Sequence, residues 1–136
     1  MLKAGQTLLL PKPGHDVSHI WVLVLSSDPV TMETVMVNVT TRRAHSDSTL
    51  VLQAGEHPFV KHPSVVHYGD ARIVDGRAIE AALGAGTFPA HSDCSAALLK
   101  RIQEGLLASP FTPGKVKTYV TLRLSPPESL RQTRPP

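Results

Sequence analysis

Histidine is the most unusual component of this sequence. The chain contains seven histidines, and five of them fall in three short segments, HDVSH, EHPF and KHPSVVH. An imidazole with a reference pKa of about 6.5 can give or take a proton near neutral pH, so His15 and His19 are candidates for acid–base chemistry. Thr40 is followed closely by Arg42 and Arg43. A hydroxyl and two guanidinium groups could bind a phosphate there.

The same residues also have structural interpretations. Two histidines in a loop are commonly solvated polar side chains, so His15 and His19 need not be functional. Thr40 at a strand end could cap a turn with its hydroxyl. Arg42 and Arg43 could form a solvated edge that discourages the pairing of one sheet with another.

A second cluster, in the segment GEHPFVKHPSVVH, has the residue types of a zinc site. Glu56, His57, His62 and His67 are the possible ligands, but the histidines are spaced by five and five. That spacing fits neither a helical HExxH site nor a compact zinc finger, so we predict no metal and no cofactor. We interpret His57 as structural, at a turn that places Phe59 in the core.

Two further nucleophile candidates have a weak geometric basis. Ser64 and His67 are three residues apart on a predicted strand and therefore lie on opposite faces, so they cannot form a simple Ser–His pair. Cys94 lies near a predicted helix N-terminus, but no base is assigned to it. We interpret Cys94 as a small residue packed against the core.

Composition predicts one soluble cytoplasmic domain. The length of 136 residues and the apolar fraction of 41% are ordinary for a single globular domain. The longest apolar run, Ile20 to Leu25, is too short to cross a membrane, and the N-terminal segment lacks the pattern of a signal peptide. One cysteine excludes an internal disulfide framework. The net charge of +3 permits nucleic-acid binding without demonstrating it.

The elements that must position these residues are mainly strands. Val35, Val37 and Val39 alternate with Met36, Asn38 and Thr40, which is the period of a strand with one buried face. Short apolar or alternating runs separated by Pro, Gly and Ser predict five strands, at residues 6–10, 21–25, 34–41, 49–52 and 64–68. Such spacing favours a small barrel or sandwich over a parallel sheet.

Two helices are predicted after the strands. The first is capped by Asp75 and runs through Leu83. The second is capped by Ser92 or Asp93 and runs to about Ala108, with apolar residues at helical spacing. The polar, proline-rich segment 125–136 is predicted to be a disordered tail, which leaves residues 1–124 as a single α+β domain.

The order of these pieces resembles the MazF/PemK toxins, which share an SH3-like barrel with the CcdB toxins. The similarity covers roughly residues 3–110. It lies in an opening strand with a glycine, an apolar second strand, a third strand that ends in a hydroxyl residue, a charged strand, a segment with a serine before a hydrophobic pair, and a closing helix. The corresponding segments are KAGQTLLL, HIWVLVLSSD, TVMVNVTT, STLVLQAGEHPF, HPSVVHYGDARIVD and CSAALLKRIQEGLLASPF.

The resemblance implies a metal-free endoribonuclease that cuts single-stranded RNA, forms a homodimer and is neutralised by an antitoxin protein. The family's catalytic pair is an Arg, followed by Pro, at the start of the second strand and a Ser or Thr at the end of the third. Thr40 occupies the hydroxyl position, whereas Ile20 and Trp21 stand where the Arg-Pro pair is expected. His15 or His19, on the loop before that strand, could replace the Arg.

Two hypotheses follow from this resemblance. In the first, the chain is a toxin component with His15, His19 and Thr40 as catalytic residues, and its RNA groove is lined by Arg42, Arg43, Ser64, His67 and Arg72. In the second, the missing Arg-Pro pair reflects a catalytically inactive barrel that acts as a protein–protein interaction module. A metal-dependent hydrolase built on the histidine cluster is a weaker third possibility.

Overall fold

A computed structural model describes residues 2–11, 18–85, 90–91 and 93–124. Six strands and three helices are present in these residues. The strands are β1 (Thr7–Pro11), β2 (Ser18–Leu23), β3 (Glu33–Thr41), β4 (Val51–Leu52), β5 (Ser64–Asp75) and β6 (Ala90–His91). The helices are α1 (Gly76–Gly84), α2 (Ala96–Ala108) and α3 (Gly114–Leu124).

The strands form one antiparallel sheet in the order β4-β5-β3-β2-β1-β6. Strands β1 to β5 make a curled half-barrel, and the two-residue β6 adds to its β1 edge. The predicted α+β class, with an antiparallel sheet followed by helices, is confirmed. Because β4 and β6 lie at opposite ends of the strand order, the sheet is an open half-barrel in the part of the chain described.

The sheet is apolar on both faces over much of β2 and β3, which explains the uninterrupted hydrophobic run in β2. On one face, the first core cluster places Val22, Val37 and Val66 against the helices α2 and α3. On the other face, the second core cluster joins Trp21, Leu23 and Met36, with α1 packed over it.

The second face changes from apolar to polar along β3. Residues alternate between the two faces, so Asn38 and Thr40 lie on the same face as Met36. Asn38 pairs with Trp21 on β2 and with His67 on β5. The polar end of this face is therefore built from the last residues of β3 and their neighbours on β5.

A pronounced β-bulge interrupts the pairing of β3 with β5. Met36 pairs with Arg72 and Asn38 pairs with His67, so four residues of β5, 68–71, lie opposite the single residue Val37. A bulge bends a strand and changes the direction of its side chains. On β5 it breaks the strict alternation of faces between His67 and Arg72.

Several boundaries differ from those predicted. Strand β5 continues to Asp75, beyond the predicted end at Tyr68. Asp75 caps α1 as predicted, since its side chain accepts a hydrogen bond from the Arg77 amide. Helix α2 is capped by Ser95, not by Ser92 or Asp93. Helix α3 was not predicted at all, and the predicted tail, 125–136, lies outside the described residues.

None of the helices in the described part of the chain combines the length and the hydrophobicity needed to span a membrane.

Candidate functional site

An open cleft of about 290 Å³ lies at the C-terminal end of β3. We call it the first cleft. Its polar lining consists of two histidines, one arginine and three hydroxyl residues, and its apolar lining comes from β1, β2, β3 and the segment before β5. These residues are His19, Thr40, Thr41, Arg43, His62 and Ser64, with Leu9, Ile20, Val39 and Phe59.

Strand pairing explains why these residues meet. Ile20 of β2 pairs with Val39 of β3. Because the two strands are antiparallel, His19, which precedes Ile20, and Thr40, which follows Val39, lie at the same end of the sheet. Thr41 of β3 pairs with Ser64 of β5, which brings the start of β5 to the same place. His19 therefore lies close to the end of β3.

Hydrogen bonds fix the end of β3 to the segment before β5. The Thr41 hydroxyl is hydrogen-bonded to Nε2 of His62 at 2.8 Å. The Arg42 amide donates to the Pro63 carbonyl at 3.0 Å, and the buried Ser64 hydroxyl donates to the His62 carbonyl at 2.9 Å. Ser64 is thus occupied by its own backbone and contributes mainly to the shape of the first cleft.

A second cleft of about 280 Å³ adjoins the first. Thr40, Thr41 and Arg43 line both clefts, and the second is completed by His45, Ser46 and His67. The loop that forms its outer wall is closed by a hydrogen bond of 2.7 Å from the Arg43 amide to the Ser46 hydroxyl. The described residues that line the two clefts include no aspartate or glutamate.

Asp47 anchors this loop to the helical layer. Its carboxylate accepts hydrogen bonds from the Ser109 hydroxyl at 2.6 Å and from the Thr49 amide at 2.9 Å. Burial acts to raise the pKa of Asp47, but the bonds from Ser109 and Thr49, with a smaller effect of the charge of His67, outweigh it and lower the pKa below the ordinary value. Asp47 is therefore held as a carboxylate.

His67 is partly exposed and borders a polar network. Its Nε2 lies 3.7 Å from Oδ2 of Asp70, and the same oxygen accepts a hydrogen bond of 3.2 Å from Nδ2 of Asn38. Asn38 is fully buried, and its Oδ1 has no hydrogen-bond partner in the structure. A regular strand would put His67 and Asp70 on opposite faces, and the bulge brings them to the same side.

Two of the predicted RNA-binding arginines line neither cleft. Arg72 stacks over the Trp21 ring at 5.1 Å and donates from Nε to the Asp70 carbonyl at 3.2 Å. Arg42 is exposed beside the first cleft without lining it. The structure therefore gathers His19, Thr40, Arg43, Ser64 and His67 around the end of β3, whereas His15 lies outside the described residues.

The sequence analysis did not identify Thr41, His45 or Ser46 as site residues. It also did not place His62 in a cleft. Thr41 could have been identified, because it follows Thr40 at the end of a clearly alternating strand. His62 was considered only as a metal ligand, although it directly precedes Pro63 at the start of a strand. No local pattern marks His45 or Ser46, because their place depends on how the loop folds over β5.

The four residues considered as zinc ligands have separate partners. Glu56 pairs with Arg101, and His57 accepts from the Phe59 amide through Nδ1 while its Nε2 is hydrogen-bonded to the Asp93 carbonyl. His62 contacts Thr41 and His67 contacts Asp70. Within the described ranges, no group of three or more His, Cys, Asp or Glu residues is arranged to hold a metal ion.

Cys94 is a half-buried thiol beside the first core cluster. Burial, helped by the charge of Asp93, raises its pKa to about 11. A thiol with a raised pKa carries little thiolate at neutral pH, which suits a packing residue better than a nucleophile.

The fold and the site together define an antiparallel half-barrel with a histidine-, arginine- and hydroxyl-lined surface where its third strand ends. Comparison of the chain with models of known protein families, with curated proteins and with solved structures finds no match.

Proposed function

We propose that the protein is a toxin-like RNA-binding protein, similar to MazF/PemK, that cleaves single-stranded RNA without a metal ion at the end of β3. The observation that carries this proposal is that His19, Thr40 and Arg43 line one cleft although they come from different parts of the sheet and the loop after it. Proton transfer, hydrogen bonding to phosphate and charge neutralisation are the three requirements of such a cleavage.

Each of these residues has a defined role in the proposal. Arg43 neutralises the phosphate, because its guanidinium is permanently charged and offers several donors. The hydroxyl of Thr40 donates to a phosphate oxygen. His19 transfers a proton to or from the reacting oxygens, since imidazole does so efficiently near neutral pH.

The open shape of the two clefts supports a single-stranded substrate. They adjoin across the end of β3 and share Thr40, Thr41 and Arg43, so an extended strand can cross from one to the other. Phe59 contributes a half-buried ring to the first cleft, where a base can stack on it.

A toxin of this kind would be accompanied by a homodimer partner and a cognate antitoxin protein. The net charge of +3 would complement a short acidic antitoxin. A reading frame for such a protein directly beside the gene would support the proposal.

A second candidate is a catalytically inactive barrel that acts as a protein–protein interaction module. It is favoured by Trp21, which stands near the position of the family's Arg-Pro pair and is fully buried in the second core cluster. A buried indole cannot replace a guanidinium at a phosphate, so the family's catalytic arginine has no counterpart at this position.

The experiment is incubation of the purified protein with labelled single-stranded RNA of mixed sequence in EDTA. Discrete cuts are expected, whereas DNA of the same sequence should bind and remain whole because it lacks the 2′-hydroxyl. His19→Ala and Thr40→Ala should abolish the cuts, and the exposed Thr118→Ala on α3 is the matched control for Thr40→Ala. RNA that neither binds nor breaks would refute the RNA function and favour the second candidate, whereas intact RNA that still binds the protein would refute cleavage while leaving RNA binding.

A further inference from the structure

We propose that His67, positioned by Asp70 and Asn38, is the general base of the RNA cleavage, working from the second cleft opposite His19. This inference rests on the proposed function and assigns to it a residue that the resemblance does not supply. It is carried by the bulge in β5, which places an aspartate beside a cleft histidine.

The geometry of the bulge is the first support. Four residues of β5 lie opposite one residue of β3, and this turns Asp70 back toward His67 so that Oδ2 and Nε2 are 3.7 Å apart. Bulges are frequent beside active sites, where they redirect a side chain. The carboxylate faces Nε2, so Nδ1 is the ring nitrogen that can meet a substrate in the second cleft.

Buried Asn38 is the second support. Its Nδ2 donates to the Asp70 oxygen that faces His67, while its Oδ1 is buried without a hydrogen-bond partner. A polar side chain with an unsatisfied buried atom costs stability, so folding alone gives no reason for an asparagine here. The hydrogen bond from Asn38 to Asp70 supplies a functional reason for the asparagine, because it holds Asp70 in place. A base that is oriented by a further group is a recurring arrangement at catalytic sites.

The surroundings of His67 favour the base over the acid role. A base becomes positively charged when it accepts a proton, and Asp70 then forms an ion pair with it. His19 lines the first cleft, which shares Thr40, Thr41 and Arg43 with the second cleft, and takes the acid role.

The reaction balances with these two histidines. His67 takes the proton of the RNA 2′-hydroxyl, and the 2′-oxygen forms a bond to the adjacent phosphorus. The bond from phosphorus to the 5′-oxygen breaks with its electron pair, and the protonated His19 gives its proton to that oxygen. The products are a 2′,3′-cyclic phosphate and a free 5′-hydroxyl, and a later proton exchange with water restores both imidazoles.

The test compares cleavage by the wild type, His67→Ala, Asp70→Asn and the control Asp75→Asn. His67→Ala should lower kcat by at least about 100-fold with KM unchanged, and added imidazole should restore part of the activity. Asp70→Asn, a change in a positioning residue, should lower kcat less, again without a change in KM. Asp75→Asn makes the same substitution on the same strand at the cap of α1, where asparagine serves equally well, and should behave as wild type.

A substrate with sulfur in place of the 5′-oxygen distinguishes the base role of His67 from the acid role of His19. A thiolate leaves without protonation, because thiols ionise near pH of about 8.5. His19→Ala should therefore recover its rate on this substrate and His67→Ala should not.

The outcomes distinguish this inference from the proposed function. Cleavage that survives His67→Ala overturns the inference and leaves the ribonuclease standing, as does recovery of His67→Ala on the sulfur substrate. A wild type that binds RNA but never cuts it overturns the inference and the nuclease together while leaving RNA binding.

Discussion

Asp47 is a single residue on which the wall of the second cleft depends. It is only 6% exposed and is held by Ser109 of the helical layer and by Thr49 of its own loop. These bonds favour the carboxylate and lower the pKa of Asp47 although burial opposes them. The loop after β3 is thus tied to the end of α2 by a charge that acid removes.

The first prediction concerns the acid stability of this anchor. A carboxyl whose pKa is lowered by folding stabilises the native state fully above its unfolded pKa of about 3.9, and this contribution is lost as the pH falls through the lower folded pKa. Asp47→Asn should therefore be less stable than wild type at pH 7, and the difference should shrink below about pH 4. Denaturant unfolding at a series of pH values measures it, and a constant difference would contradict the role of the charge.

Gly105 is a second residue on which packing depends, because its lack of a side chain makes room for Tyr68. Tyr68 is fully buried, and its hydroxyl donates to the Ile102 carbonyl of α2 at 2.9 Å. A Cβ at position 105 would lie 2.1 Å from that hydroxyl oxygen. Burial, with the charge of Asp47 adding to it, raises the pKa of Tyr68 above its usual range, so the hydroxyl remains protonated as a donor.

Gly105→Ala should consequently destabilise the protein by about 1–3 kcal/mol, although the same change in an open helix stabilises by about 1 kcal/mol. Tyr68→Phe in the same chain should recover part of the loss, because it removes the nearest atom. Gly84→Ala is the control, since nothing lies within 4 Å of the added Cβ. Thermal unfolding of the wild type, Gly105→Ala, Tyr68→Phe, their double variant and Gly84→Ala measures the effect, and additive losses in the double variant would refute the contact.

At the scale of elements, α3 is the helix that was not predicted from the sequence. Its residues GKVKTYVTLRL include several β-branched side chains and no sharp apolar stripe, so helical spacing is weak. Val116 and Val120 are nevertheless fully buried in the first core cluster. Tertiary packing against the sheet and α2 therefore stabilises this helix.

Val116→Ala should lower the free energy of unfolding by about 2 kcal/mol, because it removes two buried methyl groups and leaves a cavity. Thr118→Ala, on the exposed side of the same helix, should change it by less than about 0.5 kcal/mol. Chemical denaturation of both variants gives the comparison. Equal effects would mean that α3 does not pack as described.

For the whole molecule, the proposed RNA function makes binding an electrostatic property of one region. Arg43 lines both clefts, whereas Arg77 lies on α1 and pairs with Asp75. The two arginines carry the same charge in different places. They therefore separate a local site from a general attraction of RNA to a basic protein.

Arg43→Gln should weaken RNA binding and reduce the slope of log affinity against log salt by about 0.7, the value for one phosphate contact on a single strand. Arg77→Gln should leave both nearly unchanged. Fluorescence anisotropy with a short RNA between low and moderate salt measures the slopes. Equal slopes for the two variants would place the RNA elsewhere on the surface.

The local elements could largely be predicted from the sequence, because their signals are short-range. The period of two in β3, the turn residues after β2 and the cap at Asp75 each depend on neighbouring residues, and the structure confirms the elements that they predict. The same local reasoning brought His19, Thr40, Arg43, Ser64 and His67 into consideration. It could not tell that Arg72 would stack on Trp21, because this contact joins two strands that are distant in sequence.

The strand-rich class of the fold and the kinds of side chain near the end of β3 could be predicted from the sequence, because periodicity and turn chemistry depend on neighbouring residues. Which of those side chains meet depends on the tertiary structure. Regular alternation places His67 and Asp70 on opposite faces, and the bulge opposite Val37 reverses this. A bulge arises from how two strands pair across the sheet, which depends on packing throughout the core and not on any one segment.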